Sequence, residues 1–325
     1  MSSSNFYVPF FNVYWILYGV FGLAFQGILV YMITRKSPAA LNNLKCFLYN
    51  TALVQVALVV FAFALQHRSL ANLTSLAVLA MGPCRYGGMT LCFTFYQIYM
   101  AINFAAGAAI SITVLFRFLV LVQNNVTATQ NYVMIGVSYI APVIVLILPF
   151  TASWDFEAVH IATAREHPSY NLSIYYPYPG FADVTNIQFV SATLILCIGV
   201  YGVSIGCVFL TWKALILIRN HQQMSEKTKR QAQTLIHGLI VQSLLPILAY
   251  IPTCSGYVYS QLTGSEILIL EHVLLVSSSL PGLVDPFISF YFIVPYRQAI
   301  LDVIRKRNRS DVIFSKSQSS TSGQN

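Results

Sequence analysis

The feature that most constrains the fold of this chain is a series of long stretches that carry almost no charge. Seven of them, called spans 1 to 7 below, occupy about 11–33, 44–65, 91–116, 132–152, 187–212, 235–257 and 268–293. A helix of about 20 mostly apolar residues crosses the hydrocarbon core of a bilayer. Strands of a membrane β-barrel would be about ten residues long and would alternate in polarity, and these stretches do neither. The pattern predicts an all-α fold, a bundle of seven transmembrane helices.

The composition of the chain agrees with a membrane protein. Charged residues make up 9% of it and apolar residues 57%, whereas about a quarter of a typical soluble domain is charged. No basic stretch precedes the first apolar run, so we expect span 1 to serve as its own insertion signal and not as a cleaved peptide. The predicted parts are an N-terminal segment (1–10), a membrane domain (11–297) and a tail (298–325).

The basic residues predict how the bundle is oriented. Only three of the 18 Lys and Arg residues, Arg68, Arg85 and Arg165, fall in the links between spans 2–3, 4–5 and 6–7. Because basic links are retained in the cytoplasm during insertion, the N-terminus is predicted to be extracellular and the C-terminus cytoplasmic. The net charge of +8 then faces anionic lipid headgroups or an acidic partner. It does not indicate a nucleic-acid partner, because the charges flank hydrophobic spans.

The outer links contain candidate sites of covalent modification. Asn72 and Asn171 begin Asn-X-Ser/Thr sequons on the predicted outer side, where N-glycans are added. The sequon at Asn125 falls on the predicted cytoplasmic side and should stay unmodified. Cys84 and Cys92 are the nearest pair of outward-facing cysteines. A disulfide between them and two free thiols are both compatible with the sequence.

An acid and a helix-breaking residue stand together in span 7, where Pro286 follows Asp285. An ionisable side chain at this depth costs about 2.5–3.5 kcal/mol on insertion scales. We therefore expect Asp285 to face polar groups inside the bundle, such as Asn50 or Gln55 of span 2. The proline removes a backbone donor and bends the helix. The pair predicts a two-state switch element; the alternative is an acid that only holds helices together.

Span 6 contains two prolines, Pro246 and Pro252. They weaken the backbone hydrogen bonding of its outer half, so the inner half can swing as a lever while the outer half contacts a ligand. The alternative is that they have no special role, since proline is more frequent in membrane helices than in soluble ones.

Aromatic and lightly polar residues lie in the outer halves of spans 3, 5, 6 and 7. A mostly apolar pocket with a few oriented polar groups suits a small organic ligand. For each single residue, ordinary helix packing or an interfacial belt of aromatic side chains is the alternative. The candidate ligand contacts are Tyr96, Gln97, Tyr99, Asn103, Gln188, Ser191, Tyr250, Thr253 and His272.

The predicted cytoplasmic side carries a basic surface and an amphipathic segment. After span 7, Ile300, Leu301 and Ile304 form a stripe opposite basic residues, which predicts a short helix on the membrane surface. The Ser-rich end is predicted to be disordered and open to phosphorylation. Arg117 lies at the predicted membrane edge, where snorkelling of its side chain explains it as well as a contact with a cytoplasmic partner does. The candidate contacts to a cytoplasmic partner are Arg117, Lys227, Lys229, Arg230 and Arg297.

Nothing in the sequence indicates an enzyme. It has no nucleophile–base pair, phosphate-binding loop or metal-ligand spacing, and its six His residues are scattered along the chain. No cofactor and no metal are expected. A coupled transporter would usually show several ionisable groups at mid-membrane or repeated broken helices, whereas this chain has one such acid and no repeat.

Five segments carry a resemblance that covers nearly the whole chain. They are TRKSPAALNNLKCFLYNTALVQ (34–55), GPCRYGG (82–88), EHPSYNLS (166–173), MSEKTKRQAQTLIHGLIVQSLLP (224–246) and LPGLVDPFISFYFIVPYRQAI (280–300). With them the chain resembles the nematode seven-transmembrane chemoreceptors of the serpentine class delta. The resemblance implies a G-protein-coupled receptor in the plasma membrane of sensory neurons or their cilia. It also implies a small-molecule odorant or pheromone as ligand and a heterotrimeric G protein as partner.

The chain departs from rhodopsin-like receptors at positions that matter for switching in that group. No acid precedes Arg117, Tyr291 follows Pro286 by five positions and not three, and the outer link 153–186 has no cysteine. Switch mechanisms of that group therefore transfer poorly to this chain. A seven-helix odorant-gated channel and a small-molecule transporter are the two other functions that the sequence alone leaves open.

Overall fold

The computed structural model describes residues 7–38, 41–123, 126–220 and 226–302. Its helices are α1 (Val8–Arg35), α2 (Asn42–Leu65), α3 (Gly88–Gln123), α4 (Ala128–Ser138), α5 (Ile140–Ile147), α6 (Phe156–Glu166), α7 (Ile187–Asn220), α8 (Glu226–Thr263) and α9 (Leu268–Phe292). Three strands, β1 (His67–Ala71), β2 (Leu76–Ala80) and β3 (Gly180–Phe181), lie in the links at one end of the bundle, called the sheet end below. The opposite end is called the basic end.

The predicted seven-helix bundle is the architecture that the structure shows. Six stretches of helix in the described ranges are long and apolar enough to cross a membrane: Val8–Arg35, Asn42–Leu65, Pro83–Val122, Ala128–Thr151, Ile187–Leu217 and Leu268–Phe292. α8, which packs between α7 and α9, completes the seven. Spans 1, 2, 3, 5, 6 and 7 are thus α1, α2, α3, α7, α8 and α9.

Several sequence predictions fall outside the described part of the chain. They concern Asn125, Ile304 and the Ser-rich tail. Lys227, Lys229 and Arg230 belong to the first turns of α8, where the structure describes the backbone and not these side chains.

Span 4 is divided into α4, α5 and a closing 3₁₀ turn, and local chemistry explains the division. Thr127 starts α4 with a capping box: its side chain accepts from the Gln130 N–H at 3.3 Å, and Gln130 accepts from the Thr127 N–H at 3.0 Å. The helix breaks at Tyr139, which places Pro142 in the first turn of α5. The backbone N–H groups in the first turn of a helix have no partner within the helix, so the missing N–H of proline costs nothing there.

A small antiparallel sheet covers the sheet end, with strand order β1-β2-β3 and Leu76 opposite Phe181. Every residue of β2 is buried, because α6 lies over the sheet and its Val159 packs with Ala77 and Tyr175. The all-α prediction omitted this sheet. β2 is apolar throughout and only five residues long, so it lacks the alternation that marks a half-buried strand.

A tight turn connects the sheet to α3. The Gly82 N–H donates to the Leu65 carbonyl at 3.0 Å, and a Cβ at this position would lie 2.2 Å from the Ala64 carbonyl oxygen. Only glycine allows this approach of two backbones. A disulfide joins Cys84 to Cys92 and ties the turn to the start of α3. Of the two states that the sequence left open for these cysteines, the structure contains the disulfide.

The core changes in character along the bundle. Near the sheet end it is aromatic, with Tyr18, Phe93 and Tyr99 in one cluster. At the basic end it is mainly aliphatic, and Tyr296 is fully buried there. The Tyr296 hydroxyl lies 2.6 Å from Ser37 Oγ, which anchors the helical segment 294–302 against the end of α1.

Candidate functional site

A cavity lies among α3, α7 and α8 near the sheet end. Its volume is about 120 Å³, smaller than the roughly 300–1,000 Å³ that is usual for sites of drug-sized ligands. Val145 of α5 and Pro149 line one side, and Leu76 and Phe181 of the sheet form the roof. The remaining lining residues are Tyr96, Gln97, Met100 and Asn103 of α3, Phe189, Ala192, Thr193, Leu196, Cys197 and Val200 of α7, and Tyr250, Thr253, Cys254 and Tyr257 of α8.

Four polar atoms of this lining are buried without a hydrogen-bond partner among the described residues. They are Gln97 Nε2, Asn103 Oδ1, Tyr250 Oη and Tyr257 Oη. A buried polar group left unpaired costs about 1–3 kcal/mol, so a bound molecule with both donors and acceptors would be stabilised here. Within the described ranges no Lys, Arg, Asp or Glu lines the cavity. The lining therefore favours a neutral molecule over an ion.

Five of the candidate ligand contacts from the sequence meet at this cavity. Tyr96, Gln97 and Asn103 project from α3, and Tyr250 and Thr253 project from α8. Thr253 also donates to the Ala249 carbonyl of its own helix at 2.8 Å.

The other four candidates lie elsewhere. The Tyr99 hydroxyl is 2.7 Å from Ser278 Oγ of α9, so this side chain connects two helices. His272 stacks on Phe11 of α1 with ring centroids 4.8 Å apart. Gln188 and Ser191 are not among the residues that line the cavity.

The roof of the cavity was not predicted from the sequence. Phe181 packs edge-on against Phe189 of α7 and Phe93 of α3, with centroid distances of 4.7 and 5.0 Å. A Cβ on the preceding residue, Gly180, would lie 2.1 Å from the Leu76 carbonyl oxygen. Glycine at this position therefore lets β3 pair closely with β2 and brings Phe181 over the cavity.

A buried ion pair connects the roof to α9. Arg68 Nη2 of β1 lies 2.6 Å from Glu271 Oε2, and the two side chains are only 1% and 6% exposed. Arg68 Nε donates to the same oxygen at 2.7 Å, and the Tyr170 hydroxyl donates to Glu271 Oε1 at 3.1 Å. The Arg68 guanidinium lies over the rings of Tyr170 and Tyr175. These four residues are called the roof latch below.

The electrostatics of the roof latch keep the Arg68 guanidinium and the Tyr170 hydroxyl protonated. Burial acts to lower the pKa of Arg68, but the Glu271 carboxylate, helped by Tyr175, outweighs it and raises this pKa above its usual range. Burial, followed by the same carboxylate, raises the pKa of the Tyr170 hydroxyl well above its usual range. Arg68 stays charged and Tyr170 stays a donor at physiological pH.

His67, beside the latch in β1, acts as an aromatic group. Its ring lies edge-on to Tyr96 and Tyr99, at centroid distances of 5.1 and 5.6 Å. Burial lowers the pKa of His67 to about 3, so the imidazole is neutral at physiological pH.

Below the cavity, towards the basic end, Asp285 belongs to a buried polar cluster. It is 2% exposed, and Gln242 of α8 and Arg117 of α3 lie close enough to interact with it, Arg117 as the cation that attracts it. Tyr250, on the cavity wall, also lies close enough to interact electrostatically with Asp285. The cluster therefore couples three helices directly beneath the cavity.

Two expectations about this cluster were wrong in their geometry. Arg117 is only 5% exposed, so its side chain packs inside the bundle and does not snorkel outwards. Of the expected partners of Asp285 on α2, Asn50 accepts instead from the Tyr139 hydroxyl at 2.6 Å. Both side-chain polar atoms of Gln55 lack a partner among the described residues. Depth along the helices was estimated adequately, but their rotation about their own axes was not.

The proline after Asp285 has a compensating contact. Pro286 has no N–H, so the Gly282 carbonyl one turn earlier loses its usual helical donor. Gln26 of α1, which is fully buried, donates from Nε2 to this carbonyl at 2.8 Å. The Tyr18 hydroxyl, also on α1, donates to the nearby Ser279 carbonyl at 2.9 Å. α1 thus supports the interrupted part of α9.

At the basic end, a groove lies between α8 and the segment after α9. It is lined by His237, Ile240, Val241, Tyr291, Phe292 and Arg297. Arg297 is half-buried there.

The two sequons that were predicted to lie outside differ sharply in accessibility. Asn72 is fully buried, and its Nδ2 donates to Ser75 Oγ at 2.6 Å and to Thr163 Oγ1 at 3.0 Å. A glycan at Asn72 does not fit this fold, which contradicts that part of the prediction. Asn171 is exposed.

Comparisons with known proteins agree on one group. The model of a family described as "Serpentine type 7TM GPCR chemoreceptor Srd" matches residues 11–302. The chain is 61% identical to serpentine receptor class delta-59 of Caenorhabditis elegans, over 100% of this chain and 99% of that protein. It is 28% identical to class delta-50 of the same organism, over 92% and 90%. In structure it is similar to squid rhodopsin, with a TM-score of 0.63 at 14% identity, over 91% of this chain and 84% of that one.

Proposed function

The chain belongs to the Srd family of serpentine seven-transmembrane chemoreceptors, and from this premise we propose that it binds a neutral small organic molecule in the cavity among α3, α7 and α8 and signals to a cytoplasmic G protein. The observation that carries the proposal is the set of four unpaired polar atoms on an otherwise apolar, uncharged lining. A ligand with at least one donor and one acceptor, such as a hydroxy-ketone or an amide, complements this set.

The proposed signal passes along α8. Tyr250 and Thr253 line the ligand cavity, and Gln242, two helical turns away, lies close to Asp285. Pro246 lies between these two levels and removes a hydrogen bond from the helix. A ligand that displaces the Tyr250 side of α8 therefore changes the Gln242–Asp285 contact, which is a two-state element of the kind a switch requires.

The G-protein surface is proposed at the basic end. The groove lined by Tyr291 and Arg297 and the basic first turns of α8, with Lys227, Lys229 and Arg230, support this assignment. Arg117 contributes indirectly through the cluster with Asp285 and not as a surface contact. With this orientation the sheet end and Asn171 face the outside of a multi-pass plasma membrane protein. Placement in sensory cilia follows from the receptor role.

The test is a ligand screen in heterologous cells with G-protein activation as the readout. For any active neutral compound, Tyr250→Phe should weaken the response about 5- to 30-fold, because a hydrogen bond is worth about 1–2 kcal/mol when a neutral partner is left unpaired. Tyr259→Phe is the matched control, since Tyr259 lies on the same helix but is 52% exposed. Equal responses in the two variants would refute binding of the ligand in this cavity.

The hinge is tested separately. Pro246→Ala restores the missing backbone donor and should shift the dose–response curve while surface expression stays unchanged. An unchanged curve would leave the binding site standing and refute the role of Pro246.

A further inference from the structure

Two cysteines meet inside the candidate ligand cavity. The Cys254 thiol of α8 donates to the Cys197 sulfur of α7 at 3.2 Å, and both residues line the cavity. The structure contains four free cysteines, Cys46, Cys197, Cys207 and Cys254. Cys207 is fully buried and its thiol donates to Ser111 Oγ at 3.2 Å, so it is engaged elsewhere.

From this juxtaposition we infer that Cys197 and Cys254 are an oxidisable dithiol, a modification site at which a peroxide forms a disulfide between α7 and α8. The two sulfurs need to approach by little more than 1 Å, because a disulfide bond is about 2 Å long. Both residues are partly exposed and both line the cavity, through which a small oxidant reaches them.

The chemistry balances with hydrogen peroxide as the oxidant. One cysteine loses its proton, its thiolate attacks a peroxide oxygen, and the O–O bond breaks to give a sulfenic acid and a hydroxide, which takes up the released proton as water. The second cysteine loses its proton, its thiolate attacks the sulfenic sulfur, and the S–O bond breaks as the S–S bond forms; the departing hydroxide takes up this proton as a second water. The two sulfurs together lose two electrons, and the peroxide gains them.

The position of the pair in the fold supports this role. The cavity lies at the same end of the bundle as the Cys84–Cys92 disulfide, and disulfides persist where the surroundings are oxidising. The neighbouring contact between α7 and α8, Tyr201 Oη to Ser255 Oγ, is 2.8 Å long. The two helices are therefore already in register for a covalent bond.

The bond would have a defined consequence for the receptor. Cys254 follows Pro252 by two residues and Tyr250 by four, so the disulfide would fix the cavity wall of α8 to α7. This consequence rests on the proposed function, in which that wall moves with the ligand. The formation of the bond does not rest on it.

The experiment uses the full chain purified in lipid nanodiscs and treated with hydrogen peroxide. Remaining thiols are labelled with a mass-tagged maleimide after denaturation, and the digest is analysed by mass spectrometry. We expect the number of labelled thiols to fall from four to two. One intramolecular cross-linked species should join the Cys197 and Cys254 peptides, and reductant should restore all four labels.

Matched variants make the outcome specific. Cys197→Ser and Cys254→Ser are nearly isosteric, and each should abolish the cross-linked species, whereas Cys207→Ser should retain it. The inference is overturned if four thiols persist at peroxide concentrations that oxidise a free dithiol, or if the lost thiols are Cys46 and Cys207. It is also overturned if the cross-link joins two chains. A cross-link that forms without changing G-protein activation would support the site and refute the movement of α8.

Discussion

Neutralising Glu271 should destabilise the receptor far more than neutralising the neighbouring acid Glu266. Arg68 is 1% exposed, so Glu271→Gln leaves a buried guanidinium that has lost the carboxylate of Glu271. Breaking a buried pair in this way costs about 3–5 kcal/mol. The glutamine keeps the shape of the side chain and an acceptor for Tyr170. The loss can therefore be assigned to the missing charge.

Glu266 offers a matched control on the same segment. It lies 2.7 Å from His167, but its side chain is 38% exposed, and exposed pairs are worth about 0–1 kcal/mol. The assay is unfolding of detergent-solubilised protein, followed by intrinsic fluorescence. The double variant Arg68→Met, Glu271→Leu should recover most of the stability, because an apolar pair of similar volume replaces the ion pair.

Equal losses of stability in Glu271→Gln and Glu266→Gln would refute a stabilising role of the buried ion pair in the roof latch. A double variant no more stable than Glu271→Gln alone would refute it as well, since the loss of stability would then not come from an uncompensated charge.

Three further predictions follow from single contacts. Gln26→Leu should lower the stability by about 1 kcal/mol, because the Gly282 carbonyl loses its donor. This is the low end of the cost of an unpaired carbonyl, since leucine also removes the unpaired side-chain oxygen of Gln26. Adding Pro286→Ala should restore the stability, because alanine returns the backbone N–H that pairs with Gly282. The pKa of His67 is about 3 in the folded chain and about 6.5 in the unfolded chain, so as the pH falls towards 5 only the unfolded chain binds a proton at this imidazole. Stability should drop by about 2 kcal/mol between pH 7.5 and 5, and His67→Phe should remove that part of the slope in fluorescence-monitored unfolding. Treatment with a glycosidase should shift the mobility of the wild type and of Asn72→Gln but not of Asn171→Gln; a shift in the last variant would contradict the burial of Asn72.

The sequence predicts the bundle well because the membrane requirement is simple. Each span must be long, apolar and helical, and a run such as 187–212 meets all three conditions by inspection. The helices nevertheless extend beyond the spans, as α3 (Gly88–Gln123) does, since hydrogen bonding continues where the apolar run ends.

The links at the sheet end were harder to predict for a physical reason. β2 is short and buried on both faces, so it shows no period of two, and its pairing with β3 joins residues about 100 positions apart in the sequence. α6 did leave a signal, because Asp155 caps it by accepting from the Ala158 N–H at 3.0 Å. A capping residue inside the link 153–186 could have revealed that helix.

The site was only partly predictable, because helix rotation depends on packing. Tyr99 and Tyr96 lie three residues apart on α3, yet Tyr96 lines the cavity and Tyr99 turns towards Ser278. Asp285 was placed correctly inside the bundle, but its partner Gln242 is on α8 and not on α2. Composition fixes the depth of a polar residue, whereas only the packed neighbours fix the direction in which it points.

Protection of the cavity thiols by a bound ligand would show that the ligand occupies the cavity among α3, α7 and α8. The measurement is the rate at which maleimide alkylates each cysteine of the reduced receptor, with and without a neutral compound that activates it. We expect slower alkylation of Cys197 and Cys254, which line the cavity, and an unchanged rate for Cys46 at the start of α2. Unchanged rates at both cavity cysteines under a saturating, active ligand would contradict it.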